Sequence, residues 1–462
     1  MSKKILAVIL SLTMVAGTLI GCGNSADDTQ DAADAPAQEE SAEAAGESEE
    51  GPGEAAALGD EEVTVTILCA YASEDPHGQY VYEYADKFME QYPNITVEVT
   101  AISSNDIYTK LAAMATSPDD LPTLFFTSVD QAPSLFDIGL MEDLKGQLDD
   151  TTMNSFANGI VDACTLDGQL AFYPIDVQPL AVIYRKDKFD EAGLSVPKTW
   201  DDFLECAKTL TVDVDGDGQI DEWGFSMVGS NNSSGQSRFQ SFLWSQNIKQ
   251  VTNDNGEWVT DLDSDEFLKA FTFWTDMNNE YGVVPTGITE VDYATAANYF
   301  AMGQTNMILS GSNALGVAYA NNPDLEGKLG SFPLPGDYPG TMLNAEGYAL
   351  CKMAGDEEKA AAVEFLKFFS SNDPEYKFWQ SSGKIPATVE GQKVEYISGD
   401  DYKGYLETID AGCMDVFNFP GLSALKSALG DAYSAVFSGD KTNEQAQEDL
   451  VKDVNLLLED YN

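Results

Sequence analysis

Stretches of β-branched residues alternate with amphipathic helical patterns from residue 63 onward, and this alternation leaves few possible architectures. The order strand, helix, strand, helix, strand implies right-handed crossovers and a parallel sheet. Ligands of such sheets bind beyond the carboxyl ends of the strands, which here are residues 69–73 and 126–130. The predicted strands are residues 63–69, 95–100 and 124–126.

The length of the chain indicates how many lobes it has, and its charge excludes some classes of partner. With 462 residues the chain is too long for one compact core, so two or more lobes are predicted. A net charge of -54 excludes a nucleic-acid binder, which needs a basic surface, and a polybasic protein of the membrane surface. Hydrophobic residues make up 43% of the chain, which is enough to build a core and argues against disorder of the whole.

The N-terminus is typical of a bacterial lipoprotein signal peptide. Lys3 and Lys4 precede an apolar stretch over residues 5–20, which is shorter than the roughly 20 residues of a membrane-spanning helix. The stretch ends in Leu19-Ile-Gly-Cys22, which resembles the lipobox, where the signal peptide is cut before a cysteine that is then acylated. We therefore expect residues 1–21 to be removed and Cys22 to be lipidated, with an ordinary signal peptide cleaved nearby as the alternative.

An acidic tether is predicted between this anchor and the folded part. Residues 23–62 contain 14 acids, no lysine or arginine and no aromatic residue, so the segment cannot bury enough apolar surface to fold. With the lipidated cysteine, residues 22–62 are expected to hold the folded part at the extracellular face of the cytoplasmic membrane. Residues 63–462 still carry a net charge of -42, which favours a soluble monomer and repels anions at long range.

The cysteines predict neither a disulfide framework nor a zinc site. None of them is spaced as C-x-x-C, and the chain has a single histidine, His77. Lipidation of Cys22 would leave an odd number, so buried free thiols are expected. The six cysteines are Cys22, Cys69, Cys164, Cys206, Cys351 and Cys413.

Residues 213–222 (DVDGDGQIDE) form the most specific chemical motif of the sequence. Acids at positions 1, 3 and 5, glycine at position 6 and an aliphatic residue at position 8 match the loop of an EF-hand. Position 12 is Gly224, so the usual bidentate glutamate is missing and Asp221 or Glu222 would have to replace it. A structural Ca²⁺ ion is predicted, with a solvated acidic turn as the alternative. The predicted ligands are Asp213, Asp215, Asp217, the carbonyl of Gln219, Asp221 and Glu222.

Six segments match, in their order and spacing, the sequence blocks of one protein family. They are residues 121–130 (LPTLFFTSVD), 184–189 (YRKDKF), 197–203 (PKTWDDF), 300–312, 383–386 (GKIP) and 418–420 (NFP). Together they resemble an extracellular solute-binding protein of the maltose-binding type, the substrate receptor of an ABC transporter. The resemblance spans about residues 63–460.

The resemblance implies an α/β fold of the periplasmic-binding-protein type II, with two lobes, hinge strands and a ligand cleft between the lobes. The implied crossings between lobes lie near residues 173–177, 335–341 and 384–386. The implied lobes are residues 63–176 with 341–385, and residues 177–340 with 386–462.

Residues on the ligand loops of this family are the candidate binding residues. Sugars stack on aromatic rings and form paired hydrogen bonds with polar side chains. Asp130 stands at the acidic loop position after the third strand, where capping of a helix near Ala132 is the alternative. Trp244 falls near a stacking position, where a core role is the alternative. The full set is Tyr71, Asp130, Tyr173, Asp176, Gln178, Trp244, Asn313 and Glu346.

Five positions depart from the family pattern. Gln178 stands where the family usually has an acid, and Asn313 replaces a common tryptophan, which removes a stacking platform. Thr127 and Lys426 stand where the maltose receptor has aromatic residues. Glu346 stands where many relatives have glycine. The loss of aromatic residues weakens the prediction of a maltodextrin ligand.

The resemblance implies a receptor without catalytic activity that captures a carbohydrate, by expectation an oligosaccharide, and delivers it to the permease subunits of an ABC importer. Two other classes stay open. The acidic charge would also suit a receptor for a polyamine or another non-sugar solute such as a peptide. A secreted carbohydrate-active enzyme is less favoured, since the sequence lacks the G-x-S-x-G nucleophile elbow and would have to use His77 in a serine triad. No organic cofactor is expected.

Overall fold

The computed structural model describes residues 59, 61–73, 76–115, 120–157, 159–338, 343–371, 383–411 and 419–462. The predicted signal peptide, the lipidation site Cys22 and nearly all of the predicted linker lie outside these residues. So do Cys413 and the side chain of His77. The sequence-based expectations for these parts stay predictions.

The predicted alternation of strands and helices is present in the folded part. The strands are β1 (Val63–Cys69), β2 (Ile95–Ala101), β3 (Leu124–Ser128), β4 (Thr165–Leu166), β5 (Gln169–Leu170), β6 (Tyr173–Pro179), β7 (Ala181–Arg185), β8 (Trp223–Ser226), β9 (Thr252–Asp254), β10 (Glu257–Val259), β11 (Thr305–Ser310), β12 (Leu329–Phe332), β13 (Leu343–Leu350) and β14 (Ile385–Pro386). The α-helices are α1 (Pro76–Gln91), α2 (Ser104–Met114), α3 (Ala132–Asp137), α4 (Asp150–Met153), α5 (Ile160–Ala163), α6 (Lys186–Ala192), α7 (Trp200–Thr209), α8 (Ser233–Ser245), α9 (Asp265–Asn279), α10 (Tyr293–Ala301), α11 (Asn313–Asn321), α12 (Asp356–Ser371), α13 (Asp400–Asp410), α14 (Leu422–Phe437) and α15 (Asn443–Glu459).

The three strands predicted first lie side by side in the larger sheet, whose order is β14-β6-β13-β3-β1-β2. β1 pairs in parallel with both β2 and β3, which confirms the α/β prediction. The sheet is nevertheless mixed, because β13 runs antiparallel between β3 and β6. This insertion places Glu346 beside Ser128 on one strand and Asp176 on the other.

The chain passes between the larger sheet and a smaller one, whose order is β12-β7-β11-β8. β6 belongs to the larger sheet and β7, which begins two residues later, belongs to the smaller one. The chain returns between β12 and β13, and β14 again lies in the larger sheet. The two passages fall close to the implied crossings near residues 173–177 and 335–341, whereas the third implied crossing and the lobe boundaries at single residues stay predictions.

Local sequence rules explain how several helices begin and what they bury. The Thr199 hydroxyl accepts a hydrogen bond from the backbone N–H of Asp202, and the Asp202 carboxylate accepts one from Thr199 N–H, at 3.1 and 3.2 Å. Such a reciprocal cap, for which a threonine followed three residues later by an acid is the typical sequence, stabilises a helix by about 0.5–2 kcal/mol. In α15, Leu450, Val454 and Leu458 are buried, as the spacing of its apolar residues predicts.

The described cysteines are buried, in agreement with the sequence-based expectation. They are Cys69, Cys164, Cys206 and Cys351. Among the helices that the structure describes, none combines the length and the apolar character needed to cross a membrane.

Candidate functional site

A cavity of about 550 Å³ opens at the carboxyl ends of β1 and β3, the edge at which the strand order predicts a ligand site. One wall consists of the larger sheet and the segments that follow its strands, and the other consists of helices α8 and α14. We call this space the strand-end cavity. It is lined by Tyr71, Tyr108, Phe126, Ser128, Asp130, Gln131, Ser134, Ser233, Gln236, Asn344, Glu346, Leu422, Ser423 and Lys426.

Tyr71 forms part of the cavity floor and is held by contacts of its ring and of its hydroxyl. Its ring packs edge-on against Phe126, with 5.4 Å between the ring centroids. Its hydroxyl donates a hydrogen bond to Glu346 Oε2 at 2.8 Å and accepts one from Lys384 Nζ at 3.0 Å. Burial raises the pKa of Tyr71, so the hydroxyl stays protonated and available as a donor.

Behind this floor lies a buried charge cluster of Asp176, Glu346 and Lys384. Asp176 of β6 faces Glu346 of β13 across the sheet, and Lys384 precedes β14. Lys384 Nζ lies 3.4 Å from Asp176 Oδ1 and is in contact with Glu346 Oε2. The side chains of Lys384, Asp176 and Glu346 are 8%, 5% and 13% exposed, so the cluster is almost removed from solvent.

The charges in this cluster balance only if one carboxyl group keeps its proton. Burial raises the pKa of Asp176; the nearby Lys384 opposes this rise and Glu346 adds to it. Burial by itself would lower the pKa of Lys384, but the carboxylates of Asp176 and Glu346 outweigh that effect and raise it. We therefore assign the positive charge to Lys384 and the retained proton to Asp176, because two ionised carboxylates beside one ammonium would leave a buried negative charge.

Asp130 follows β3 and pairs with a lysine from the other wall of the cavity. Its Oδ1 accepts a hydrogen bond from Lys426 Nζ of α14 at 3.1 Å. The Lys426 side chain is 7% exposed and that of Asp130 is 34% exposed. α3 begins at Ala132, but its N-cap residue is Gln131, without a side-chain cap. The capping role considered for Asp130 is therefore not the one that it has.

The structure gathers only part of the predicted ligand set in the strand-end cavity, namely Tyr71, Asp130 and Glu346. Asp176 is not among the lining residues and lies opposite Glu346 on the neighbouring strand β6. Gln178 and Asn313 lie near each other at Gly311, where a Cβ atom would stand 3.8 Å from Gln178 Oε1 and 3.0 Å from Asn313 Oδ1. Asn313 also borders a second cavity of about 980 Å³ beside α11 and α13.

Tyr173 and Trp244 are not among the residues that line the strand-end cavity. Tyr173 is fully buried and its ring lies 5.2 Å from that of Phe156. Trp244 is 3% exposed, in agreement with the core role considered as its alternative. The ligand contacts predicted for the whole set stay predictions.

The sequence pattern indicates no role for Lys384 or Gln236, and it marks Lys426 only as a departure from the family. Lys384 lies at one of the implied crossings between lobes. A basic residue there gives no local indication that it pairs with two acids. Gln236 lines the cavity from α8, while its side-chain nitrogen donates to Asn231 Oδ1 at 2.9 Å. Helical periodicity alone does not distinguish such a cleft-facing glutamine from a surface one.

The acidic loop at residues 213–222 brings three carboxylates together. Oxygens of Asp213, Asp215 and Asp221 lie within 4.8 Å of one another. Backbone N–H groups hold these carboxylates in place: Gly218 donates to Asp213 at 2.8 Å and Val214 to Asp221 at 2.7 Å. Gly218 has φ +92°, which a residue with a side chain rarely adopts.

The donor set of this loop fits a calcium ion. Calcium binds carboxylate oxygens at 2.3–2.6 Å, so ligands on opposite sides of the ion are separated by about 5 Å, close to the spacing observed. Asp217 is not part of this group of three carboxylates; its Oδ1 accepts a hydrogen bond from Gln219 N–H at 2.7 Å. Glu222 forms an ion pair with Lys188 at 3.0 Å and is not part of the group. Of the two predicted substitutes for position 12, the geometry favours Asp221.

Most of the folded part matches the sequence model of one protein family. The family model described as bacterial extracellular solute-binding protein matches residues 71–376. A putative binding protein of Brucella abortus is 22% identical over 388 residues, which cover 82% of this chain and 90% of the relative. The diacetylchitobiose binding protein DasA of Streptomyces coelicolor is 26% identical over 292 residues, covering 61% of this chain and 64% of the relative.

Solved structures show the same fold. Maltose-bound MalE3 of T. maritima superimposes with a TM-score of 0.70 at 21% identity, over 86% of this chain and 100% of that one. The sugar-binding protein MalE of Xanthomonas citri gives a TM-score of 0.74 at 19% identity, over 86% and 98% of the two chains. At such identities the match establishes the two-lobed architecture of MalE-type binding proteins and not the ligand.

Proposed function

The chain belongs to the family of bacterial extracellular solute-binding proteins, and from this we propose that it is the substrate-binding component of an ABC importer, which captures a carbohydrate in the strand-end cavity. The ligand would then pass to the permease subunits of the importer. The matching relatives are binding proteins, which supports a role without catalysis.

The observation that carries this proposal is the polar lining contributed by both walls of the strand-end cavity. Asp130, Glu346 and Asn344 come from the sheet side, and Ser233 and Gln236 from α8. Carboxylate, amide and hydroxyl groups supply the mixed donors and acceptors that sugar hydroxyls require. The edge formed by Tyr71 and Phe126 adds the aromatic surface on which sugar rings pack.

A ligand screen on residues 63–462 tests the function directly. We expect at least one sugar among maltose, maltotriose and N,N′-diacetylchitobiose to raise the melting temperature in a saturable way and to bind with a stoichiometry of one in calorimetry. The sugar should be recovered unchanged by chromatography, because a receptor releases what it binds. Melting shifts with spermidine or peptides and with none of the saccharides would instead favour the non-sugar receptor; cleaved sugar would favour the enzyme.

We further propose that the acidic loop binds a structural Ca²⁺ ion. The converging carboxylates of Asp213, Asp215 and Asp221 support this. Asp217, the carbonyl of Gln219 and Glu222 belong to the predicted ligand set and would need to reorient or act through water. The ion would tie the end of α7 to the start of β8, because Val212 and Glu222 bridge the base of the loop.

The proposed location is the extracellular face of the cytoplasmic membrane, with Cys22 carrying the lipid. In a bacterial host grown with an alkyne analogue of palmitate, we expect the full chain to be labelled and to sediment with membranes. The variant Cys22→Ser should lose the label and the membrane association, because acylation needs the thiol. Cys206→Ser is the matched control, since Cys206 is buried in the folded part. An unlabelled wild-type chain would contradict lipidation.

A further inference from the structure

The strand-end cavity contains an ion pair whose two members come from opposite walls. Asp130 follows β3 of the larger sheet, whereas Lys426 lies one turn into α14. Lys426 Nζ donates to Asp130 Oδ1 at 3.1 Å, and both residues line the cavity. Because the lysine is 7% exposed and the aspartate 34%, the ammonium is largely withdrawn from solvent while the carboxylate still faces the cavity.

The second acid of the lining is neutralised in the same way. Glu346 contacts Lys384 Nζ, which also lies 3.4 Å from Asp176. Each carboxylate that faces the cavity therefore has an ammonium group as its neighbour. Within the part of the chain that the structure describes, the cavity walls carry little net charge, although the protein as a whole has a net charge of -54.

Lys426 and Lys384 neutralise the carboxylates of the cavity but leave them able to accept further hydrogen bonds. Among the residues that the structure describes, Asp130 pairs through Oδ1, which leaves Oδ2 as an acceptor for a ligand hydroxyl, and the Lys426 ammonium has N–H groups besides the one that it donates to Asp130. Because each carboxylate is paired with an ammonium, a ligand amine or carboxylate would lose its hydration without the net attraction that an unpaired Asp130 or Lys426 would give it. A sugar hydroxyl, which both donates and accepts, suits such a pair without carrying a charge.

We propose that Lys426 is a specificity-determining residue that, by pairing with Asp130, restricts the strand-end cavity to uncharged polyhydroxyl ligands and rejects amines. This inference rests on the proposed carbohydrate function and adds the charge of the ligand to it. The pairing also predicts weak binding of polyamines, although the protein as a whole is strongly acidic.

Pairs of related sugars, one uncharged and one charged, test the inference. The probes are N,N′-diacetylchitobiose against chitobiose, whose free amines are protonated, and cellobiose or maltose against their aldonic acids. We expect wild-type protein to bind the uncharged member of a pair at least tenfold more tightly, as measured by calorimetry. Lys426→Met should improve the binding of chitobiose relative to its acetylated form by at least tenfold, because Asp130 then faces the ligand without a counter-ion. Lys452→Met, in an exposed pair with Glu448, is the control that should leave the ratio unchanged.

Preferential binding of chitobiose or an aldonic acid to the wild-type protein would overturn the inference and leave the carbohydrate function standing. So would an unchanged ratio in Lys426→Met. Binding of spermidine and of no saccharide would overturn both. If none of the probes binds, a measurement without ligand still tests the pairing. The melting temperatures of Asp130→Asn, Lys426→Met and the double variant should show a coupling larger than that between Lys452 and Glu448. The absence of this coupling would overturn the pairing of Lys426 with Asp130.

Discussion

Replacing Lys384 with methionine is expected to lower the free energy of unfolding by about 3–5 kcal/mol, the usual cost of removing one partner from a buried ion pair. Lys384 contacts Asp176 behind the cavity floor, and it contacts Glu346 and the hydroxyl of Tyr71, which line the cavity. Methionine keeps the unbranched apolar stem of lysine, is one heavy atom shorter, and lacks the charge and the donors. The two carboxyl groups would then lack a counter-ion in a site that water hardly reaches.

Urea unfolding monitored by tryptophan fluorescence measures this loss. For about 400 folded residues at roughly 2.1 cal/mol/K each, it corresponds to a fall of about 4–6 °C in melting temperature. Lys393→Met is the matched control, because Lys393 pairs with Glu390 at the surface, where the side chains are 62% and 81% exposed. This control should change the stability by less than about 0.5 kcal/mol.

A combined variant distinguishes the lost charge from a packing defect. Lys384→Met together with Glu346→Gln and Asp176→Asn should recover most of the stability, because uncharged side chains no longer need the ammonium. If the triple variant is as unstable as the single one, or if Lys384→Met costs no more than Lys393→Met, the buried charge cluster is not what stabilises the cavity floor.

Removal of Ca²⁺ is the second large effect that we expect. A ligand that binds only the native state stabilises it by about 2.7 kcal/mol at a free concentration of 100 times Kd. For a folded part of about 400 residues, chelation by EGTA should then lower the melting temperature by about 3 °C. Added Ca²⁺ should restore the original value. Scanning calorimetry with and without the chelator measures both steps.

Variants of the acidic loop test whether the ion binds there. Asp215→Asn and Asp221→Asn should abolish the response to EGTA and Ca²⁺, because each removes a carboxylate from the group that converges within 4.8 Å. Asp453→Asn, at an exposed position of α15, should retain the response. A wild-type melting temperature that is indifferent to both EGTA and Ca²⁺ would rule out the structural ion and leave the solvated acidic turn.

Much of the fold could be predicted because its determinants are local. The parallel order of β1, β2 and β3 follows from alternating patterns, and the cap of α7 follows from a four-residue motif. Tyr71 and Asp130 could be singled out because strand ends mark the ligand edge of a parallel sheet. The acidic loop could also be recognised from the sequence, because its determinants are local: Asp213 and Asp221 are only eight residues apart.

The pairing of charges in the cavity could not be predicted. Lys384 lies 313 residues from Tyr71 in the sequence, and Lys426 lies 296 residues from Asp130. Nothing in the local pattern of either lysine indicates its partner. The strand periodicity likewise did not show that Tyr173 packs against Phe156, away from the cavity.

The sequence by itself therefore determined the α/β class, the family and the loop that we propose binds calcium, because short-range periodicity, turn chemistry and motif spacing act over a few residues. Only the tertiary structure decided the electrostatics of the cavity. The insertion of β13 between β3 and β6 brings Glu346 to Asp176, and the packing of α14 across the cavity brings Lys426 to Asp130. Such contacts depend on how distant segments fold together, and they set the charge that a ligand meets.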